Sequence, residues 1–203
     1  MVPLNDKRSV DKIRFDIEES IRVRQTLLAT HVELIERAAQ AIYDSLAKKG
    51  KILFFGNGGS AADSQHLAAE FVGRYEKERR ALAAIALTTD TSILTAVGND
   101  YGFEKIFERQ VEALGAPGDV AVALSTSGQS KNVILGLRRA KAMGLYTIGF
   151  SGRGGGDLAK EADLSILIPS QKTSRIQECH LQIGHILCER VDELVACAPA
   201  FKN

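Results

Sequence analysis

The sequence predicts an α/β protein with a doubly wound, mostly parallel sheet of five strands and an N-terminal helical extension. Short apolar runs alternate with helix-compatible runs along most of the chain, an order that builds a parallel sheet covered by helices on both faces. The apolar runs contain few polar residues, which is typical of strands buried on both faces. A long helical stretch precedes the first of these strands. We therefore expect helices in residues 1–48 and an α/β body in residues 49–203, packed as one unit.

The N-terminal stretch carries apolar residues at a spacing of three and four, which indicates amphipathic helix. Thr30-His31-Val32-Glu33 has the S/T-x-x-E form of a capping box, so we expect two helices with a break near residues 25–30. An apolar stripe that the body does not cover would be covered by a second subunit, which favours a homo-oligomer. The stripe consists of Ile13, Ile17, Ile21, Leu28, Val32, Ile35, Ala39, Ile42 and Leu46.

The remaining elements follow from the same patterns and from the turn residues between them. The expected strands cover residues 52–55, 82–87, 119–124, 146–150 and 164–168. The expected helices start at residue 60 and cover residues 91–97, 103–114, 131–143, 155–162 and 174–197. Gly98-Asn99-Asp100 is predicted as a loop between two helices, with a possible N-cap.

Composition excludes several classes of protein. The 203 residues have a formal net charge of +1, which lacks the bulk positive charge used in non-specific nucleic-acid binding. No apolar run approaches the roughly 20 residues of a membrane helix, and the N-terminus is too charged for a signal peptide. We expect a cytoplasmic protein with no membrane or direct nucleic-acid partner. Cys179, Cys188 and Cys197 lack C-x-x-C spacing, which favours buried reduced thiols over disulfides or a cysteine-based zinc site.

The first motif joins an apolar strand to a helix through a glycine turn. Gly56–Gly59 follows the strand, and the helix is expected to open at Ser60, with Asp63 three residues further on as part of a capped start. Glycine lets the backbone approach a ligand, and a helix N-terminus attracts anions, so the turn is a candidate anion or sugar site. His66 and Glu70 lie four residues apart on this helix, which lets an imidazole and a carboxylate converge.

The same turn also fits a dinucleotide fingerprint, G-x-G-x-x-[GA], over residues 56–61. The acidic residue that should follow about 20 positions later is not well placed. Glu76 and Glu78 precede the second strand, and Asp90 comes late. This interpretation is therefore disfavoured.

The second motif is a hydroxyl-rich loop, residues 125–130, between a strand and the helix that opens at Lys131. Four hydroxyls, a glycine and a helix N-terminus can bind phosphate through neutral donors. The alternative is a loop that only caps the helix, with Ser130 as the cap. No Walker lysine is present, so hydrolysis of a nucleoside triphosphate is disfavoured.

The last predicted helix carries Gln177, Glu178, His180 and His185. Gln177 and His185 lie about 80° apart around the helix, whereas His180 lies off that arc. Two histidines, a glutamate and a glutamine from two helices provide ligands for a divalent ion. Zinc is the common choice, and nickel, iron or manganese stay open.

Taken together, these motifs resemble those of a known protein family. GNGGSAADSQHLAAE, VGND, STSGQS and RIQECHLQIGH resemble the phosphoheptose isomerases of the sugar-isomerase (SIS) domain family, over roughly residues 10–195. The resemblance implies a doubly wound sheet with flavodoxin-like layering and a homotetramer built partly by the N-terminal helices. It also implies a zinc ion in each subunit and conversion of sedoheptulose 7-phosphate to glycero-manno-heptose 7-phosphate, for ADP- or GDP-heptose and lipopolysaccharide synthesis.

The resemblance also implies roles for individual residues. Glu70 would be the general base and His185 the general acid. Ser174 stands where some members of the family have an aspartate, so a substrate contact there is not implied. The zinc ligands would be His66, Glu70, Gln177 and His185. The substrate would contact Asn57, Gly58, Gly59, Glu70, Asn99, Asp100, Ser125, Thr126, Ser127, Ser130 and Gln177.

Two other functions stay open on the sequence alone. One is a non-catalytic SIS protein that binds the replication initiator, which resembles this chain around residues 81–90 and 175–180. The presence of both Glu70 and His185 favours the isomerase, since aldose–ketose isomerisation needs a base and a proton donor. The other is an isomerase of a different sugar phosphate.

Overall fold

The computed structural model describes residues 7–198 and residue 201. Within these residues, five strands form one sheet in the order β2-β1-β3-β4-β5, and every neighbouring pair is parallel. The predicted doubly wound sheet is therefore confirmed. The edge strands β2 and β5 are the two shortest, with three and four residues. The strands are β1 (Ile52–Gly56), β2 (Ala84–Ala86), β3 (Val120–Ser125), β4 (Tyr146–Ser151) and β5 (Leu164–Leu167).

Eight α-helices lie in the same part of the chain, close to the ranges that the sequence predicts. None is long and apolar enough to cross a membrane. A 3₁₀ turn at Phe103–Lys105 precedes the fifth helix. The helices are α1 (Lys7–Thr30), α2 (Val32–Ala47), α3 (Gly59–Val72), α4 (Thr91–Tyr101), α5 (Ile106–Leu114), α6 (Lys131–Ala142), α7 (Gly156–Glu161) and α8 (Thr173–Cys197).

The predicted loop at Gly98-Asn99-Asp100 is wrong, because α4 continues through these residues. Asp90 caps this helix, and its side chain accepts a hydrogen bond from the Ile93 N–H. The helix ends at Gly102, whose φ of 90° is a conformation that glycine adopts without strain. A single glycine at Gly98 lowers helix propensity without ending the helix.

The break between α1 and α2 lies at His31, and the predicted capping box is wrong. The Thr30 hydroxyl donates to the Thr26 carbonyl, back along its own helix, and His31 precedes α2 without a side-chain cap. The His31 imidazole instead contacts the Leu167 carbonyl, with 2.9 Å from Nε2 to the oxygen. This contact ties the break to the end of β5.

The apolar stripe of the N-terminal helices divides into two sets. Ile35, Ala39, Ile42 and Leu46 are buried in the core. A second set stays exposed on the chain, although the sequence pattern gives both sets the same spacing. These exposed residues are Ile13, Ile17, Ile21, Leu28 and Val32, with Val10 beside them.

Two hydrophobic clusters lie on opposite faces of the sheet. Successive strand residues point to opposite faces, so Phe54 joins the cluster that contains α2, α3 and α8, and Phe55 joins the cluster that contains α5 and α6. Both phenylalanines are fully buried. The helices that carry His66, Glu70 and His185 thus share one face of the sheet.

The strand order places a switch point between β1 and β3, because the chain runs from β1 to one side and later returns on the other. Gly56 pairs with Leu124, and Ser125 pairs with Ser151. The loops after β1, β3 and β4 therefore lie at one edge of the sheet. In open α/β sheets this is the position of the ligand crevice.

Candidate active site

The glycine turn after β1 leads into α3 without a side-chain cap. Gly58, with φ of 58°, precedes the helix, which starts at Gly59, one residue before the predicted start. The predicted cap is wrong, because Ser60 lies inside the first turn and is buried. The backbone N–H of Ser60 donates to the Asn57 carbonyl instead (3.0 Å).

The Asn57 side chain joins this turn to the loop after β3. Its Nδ2 donates to Asn132 Oδ1 at 2.8 Å, and Asn132 Nδ2 donates back to Asn57 Oδ1 at 2.9 Å. The Val133 N–H also donates to Asn132 Oδ1. Asn132 is a functional candidate that the sequence analysis missed, since an asparagine in the first turn of a helix has no distinctive signal.

The hydroxyl-rich loop brings three of its side chains close together. Ser125 Oγ lies 3.0 Å from Ser130 Oγ and 3.4 Å from Ser127 Oγ. Ser130 stands at the N-cap of α6 but makes no capping hydrogen bond. Three hydroxyls thus cluster at a helix N-terminus, which is a favourable place for a phosphate. Thr126, between them, is half-buried.

The glycine-rich loop after β4 packs against the backbone of the hydroxyl-rich loop at Gly128. Gly128 has φ of 66°, and a Cβ there would lie 2.0 Å from the Gly155 carbonyl oxygen. The Leu158 N–H donates to the Gly128 carbonyl at 3.0 Å. Only glycine at Gly128 allows this close approach of two backbones. The loop of residues 152–156 therefore fixes the hydroxyl cluster, a role that the sequence analysis did not assign.

Helices α3 and α8 approach closely where α8 carries a glycine. A Cβ on Gly184 would lie within 2.7 Å of both methyl groups of Leu67, and Leu67 itself is buried. The absence of a side chain at Gly184 therefore lets Leu67 pack against the α8 backbone. The residue before Leu67 on α3 and the residue after Gly184 on α8 are histidines, and this packing brings them into contact.

The two histidines and Glu70 form the chemical centre of the site. His66 Nε2 lies 2.8 Å from His185 Nε2, and Glu70 Oε1 lies 3.5 Å from His66 Nε2. The Glu70 side chain is mostly buried, with 24% of its surface exposed, while that of His66 is 44% exposed. Tyr75, which the sequence analysis missed, stacks on His185 with 5.7 Å between ring centroids. The three predicted residues therefore meet at one partly open position.

Gln177 lies at the other end of the α3–α8 contact. Its amide packs against Gly59, where a Cβ would be 2.1 Å from Nε2, and lies beside the Asp63 carboxyl. Burial raises the pKa of Asp63, while the Gln177 amide opposes that shift. Asp63 Oδ2 is buried without a hydrogen-bond partner among the described residues. In this structure Gln177 faces Asp63 and the glycine turn.

His180 is fully buried and lies away from the chemical centre. Its ring packs edge-on against Phe150, and its Nε2 is 3.3 Å from the Ser151 carbonyl oxygen. Burial lowers the pKa of His180 to about 4, so the ring is neutral at pH 7. His180 is a structural residue that joins α8 to the end of β4.

The remaining predicted substrate contacts lie on exposed surfaces. Asn99 and Asp100 are exposed near the end of α4, where Asn99 Nδ2 donates to Asp100 Oδ1 at 2.8 Å. Neither side chain bonds to the loops after β1 and β3 within the described residues. Ser174, where no substrate contact is implied, is also exposed, in the first turn of α8.

All three cysteines are free thiols. Cys179 and Cys188 are buried, as expected, whereas Cys197 is exposed. Burial raises the pKa of the Cys188 thiol to about 12, and the Glu70 carboxylate adds to the effect. Cys188 is therefore not a nucleophile, although it lies close to Glu70.

The donor chemistry of the centre suits a divalent metal. Two imidazole nitrogens and a carboxylate oxygen are a common zinc ligand set. The Nε2 atoms of the two histidines lie 2.8 Å apart, so a small separation of the rings would let both nitrogens face one ion. In the described chain, no three histidine, cysteine, aspartate or glutamate side chains are already arranged as a metal centre. The three side chains would fit a divalent ion by donor type and proximity, after a local adjustment.

Known proteins resemble this chain in both sequence and structure. Residues 17–152 match the SIS domain model. A phosphoheptose isomerase from Aquifex aeolicus is 55% identical over 92% of this chain and 97% of the relative. The structure of a phosphoheptose isomerase from Neisseria gonorrhoeae is 45% identical, with a TM-score of 0.86, and the match covers 90% of this chain and 98% of that one. A phosphoheptose isomerase from Francisella tularensis gives a TM-score of 0.88 at 37% identity, over 91% and 98% of the two chains.

The fold, the site and these similarities define an SIS-domain protein, a class built on the parallel sheet described above. Within that class, the chain belongs to the phosphoheptose isomerase family. It is a sugar-phosphate isomerase, and the initiator-binding alternative is disfavoured.

Proposed function

We propose that this protein converts sedoheptulose 7-phosphate to D-glycero-D-manno-heptose 7-phosphate, with Glu70 and His185 as its acid–base pair. The observation that carries this proposal is that both side chains contact His66 where α3 and α8 meet. A base and a proton donor thus come from different helices to one position. Family membership supports the same reaction, since relatives that share about half of the sequence are phosphoheptose isomerases.

The reaction moves a hydrogen between two neighbouring carbons of an open-chain sugar. The Glu70 carboxylate removes a proton from C1 of the ketose, while an N–H group of the His185 imidazole donates its proton to the carbonyl oxygen on C2. The resulting enediol is neutral. Return of the carbon-bound proton to C2 and loss of the proton from the C1 hydroxyl to His185 give the aldose. Both side chains end in their starting protonation states.

The phosphate group of the substrate would be bound away from the reacting carbons. The hydroxyl cluster of Ser125, Ser127 and Ser130 at the start of α6 would hold it, with Thr126 in the same loop. Binding energy from this end of the substrate positions the reacting carbons at the other end. Gly58 and Gly59 would bring backbone close to the sugar, and Asn57 holds that turn in place.

The sequence-based assignments of Asn99, Asp100 and Gln177 to the substrate stay predictions. Asn99 and Asp100 form a polar pair on the exposed surface of α4. Gln177 has an amide directed toward the glycine turn. An amide and a carboxylate are suitable partners for sugar hydroxyls.

We also propose a zinc ion held by His66, Glu70, Gln177 and His185, of which Gln177 must turn away from Asp63 to take part. The side chains of the other three already meet. A zinc ion bound there would supply positive charge that stabilises negative charge developing on substrate oxygens. The protein's part is to hold the imidazoles through α3 and α8, whose contact at Gly184 fixes their spacing.

A homotetramer that uses α1 is part of the same proposal, as is a cytoplasmic location. The support is the exposed apolar stripe of α1, where Ile13, Ile17 and Ile21 are 58%, 57% and 48% exposed. Burial of such a stripe against other subunits is favourable by the hydrophobic effect. Symmetric association is the usual way to achieve it.

Turnover of sedoheptulose 7-phosphate by the purified protein, with metal analysis of the same sample, tests the reaction. The Glu70→Gln variant is expected to retain its fold, by circular dichroism, and to lose turnover. Glu33→Gln, on the exposed surface of α2, is the matched control and is expected to keep full activity. Full activity of Glu70→Gln would remove Glu70 as the base, and turnover of a different sugar phosphate alone would change the substrate.

The metal proposal has its own measurement. His66→Ala and His185→Ala are expected to lose bound zinc, as measured by elemental analysis after dialysis. His31→Ala, which removes a histidine bound to the Leu167 carbonyl, is expected to retain it. Equal zinc content in all three variants would contradict the proposed ligands, whatever their activity.

A further inference from the structure

Arg79 lies in the segment after α3, and its guanidinium donates hydrogen bonds to both α3 and α8. Its Nη1 donates to the Phe71 carbonyl at 2.9 Å and to the Gly73 carbonyl at 3.3 Å, and its Nη2 donates to the Glu70 carbonyl at 2.9 Å. Its Nε donates to Asp192 Oδ1 on α8 at 2.5 Å. The Arg79 and Asp192 side chains are 5% and 2% exposed.

The carbonyls that Arg79 binds belong to the C-terminal end of α3. The last carbonyls of a helix lack partners within the helix, and a cation there also interacts favourably with the helix dipole. The guanidinium therefore fixes the final turn of α3, and one of its partners is the backbone of Glu70 itself. A shift of Arg79 would move the residue that we propose as the general base.

Asp192 connects the same guanidinium to α8. It follows His185 by seven residues, which is two helical turns, so both residues lie on the same side of α8. The α3–α8 contact therefore runs from the His66–His185 pair to the Arg79–Asp192 ion pair. Cys188 lies between the two, and the carboxylates of Glu70 and Asp192 both raise its pKa.

Burial of this ion pair argues for a positional role. A buried charge pair adds little stability beyond what apolar side chains would provide, because desolvation offsets the attraction. What a planar guanidinium adds is direction, since its N–H groups point along fixed lines. In Arg79, Nε points to Asp192 on α8, and the two Nη atoms point to carbonyls in the last turn of α3.

We propose that the Arg79–Asp192 ion pair is a positioning device that holds the Glu70 carboxylate beside His66, which in turn contacts His185. It acts through the α3 backbone and does not touch the substrate. The inference rests on the proposed function, in which Glu70 is the base. It assigns the segment between α3 and β2 a part in the reaction that its sequence does not suggest.

The test compares Arg79→Lys with Arg190→Lys. Lysine retains the charge opposite Asp192 but lacks the planar group that also reaches the carbonyls. Arg190 also forms an interhelical ion pair, more exposed than that of Arg79, with two bonds of 2.9 Å to Glu36 on α2. Within the described residues it donates no hydrogen bond to α3. It is therefore a control for loss of an ion pair on α8 without an effect on Glu70.

Steady-state kinetics with sedoheptulose 7-phosphate are measured below the unfolding midpoint of every variant. We expect Arg79→Lys to lower kcat by about 10- to 100-fold, as a misplaced catalytic group does, with KM almost unchanged. Arg190→Lys is expected to retain the wild-type kcat. Wild-type kcat in folded Arg79→Lys, or an equal loss in Arg190→Lys, would overturn the proposal. If Arg79→Lys does not fold, Asp192→Asn replaces it in the test, because asparagine keeps the shape of the side chain and removes its charge. The same loss of kcat is expected for Asp192→Asn.

Crystal structures of the two lysine variants separate this inference from the proposed function. The Glu70 Oε1 to His66 Nε2 distance is expected to lengthen from 3.5 Å in Arg79→Lys and to stay the same in Arg190→Lys. An unchanged distance in both variants would overturn the positioning role. Lack of turnover by the wild-type protein would overturn the proposed reaction and leave this structural comparison valid.

Discussion

Asn57 and Asn132 exchange two side-chain hydrogen bonds across the switch point of the sheet. Each amide donates to the carbonyl oxygen of the other, so the turn after β1 and the first turn of α6 are held at a fixed distance. Asn132 is only 4% exposed. The proposed sugar site and the proposed phosphate site are therefore joined by one pair of side chains.

Asn132→Asp tests the importance of this pair. An aspartate cannot donate to Asn57 Oδ1, and its carboxylate oxygen would face that acceptor. We expect the free energy of unfolding to fall by about 1–3 kcal/mol, the range for a buried polar group left without its partner, and KM for the sugar phosphate to rise. Urea unfolding and steady-state kinetics measure the two effects. Gln171→Glu, an amide-to-acid change on an exposed loop, is expected to change neither.

The hydroxyl cluster gives a second prediction. Ser125→Ala combined with Ser127→Ala removes two hydroxyls within 3.4 Å of each other. A hydrogen bond to a charged group contributes about 1.5–3 kcal/mol, so KM for a phosphorylated substrate is expected to rise at least tenfold, with a smaller effect on kcat. Ser92→Ala, on exposed α4, is the control. An unchanged KM in the double variant would contradict a phosphate site in this loop.

The exposed stripe of α1 gives a third prediction. Ile17→Glu places a charge in the centre of this stripe and is expected to yield a smaller species than the wild type in light scattering after size-exclusion chromatography. Arg22→Glu changes the charge about 140° around the same helix, away from the stripe, and is expected to leave the assembly intact. Equal masses for the wild type and Ile17→Glu would show that α1 does not hold subunits together.

The buried His180 gives a prediction on pH. Its pKa is lowered from 6.5 to about 4 by burial, so the unfolded chain binds a proton more readily than the folded one. The stability that neutral His180 contributes is therefore fully present above pH 6.5 and is lost as the pH falls toward 4. Between pH 7 and pH 5 this amounts to about 2 kcal/mol.

Urea unfolding at the two pH values, for the wild type and for His180→Gln, measures this difference. The variant is expected to lose less stability than the wild type on acidification, whatever its stability at pH 7. The lowered pKa values of Asp163, Asp16 and Glu36 affect stability only at lower pH. Identical pH dependence of the two proteins would contradict a neutral, buried His180.

The sequence was sufficient for the fold, and it indicated that His66 and Glu70 could converge. Strands buried on both faces are recognisable because they lack polar residues, and β1 and β3 are entirely buried. His66 and Glu70 could be paired because helical spacing fixes their relative direction. The placement of His185 beside them depended on the resemblance, since spacing alone does not say which two helices meet.

The helix starts were less predictable, because residues of the type that caps a helix can bond to other nearby backbone groups. The expected caps at Thr30 and Ser60 are polar residues in the right pattern, but other contacts take their place: Thr30 bonds back to Thr26, and Gly58 precedes α3. A hydroxyl competes equally well for several nearby backbone groups. Sequence patterns do not say which of these groups is free in the folded chain.

The residues that the sequence analysis missed act through partners far along the chain. Asn132 bonds to Asn57, 75 positions earlier, and Arg79 bonds to Asp192, 113 positions later. Neither belongs to a local motif. Such residues can be found only when the packing of the helices against the sheet is known.

The short edge strands have a consequence for the protein at high concentration. Unpaired N–H and C=O groups on an exposed edge are where sheets of different molecules join. β2 and β5 offer edges of only three and four residues, too little for a stable ladder between molecules. The sheet is thus poorly suited to grow into fibres or to exchange strands between molecules.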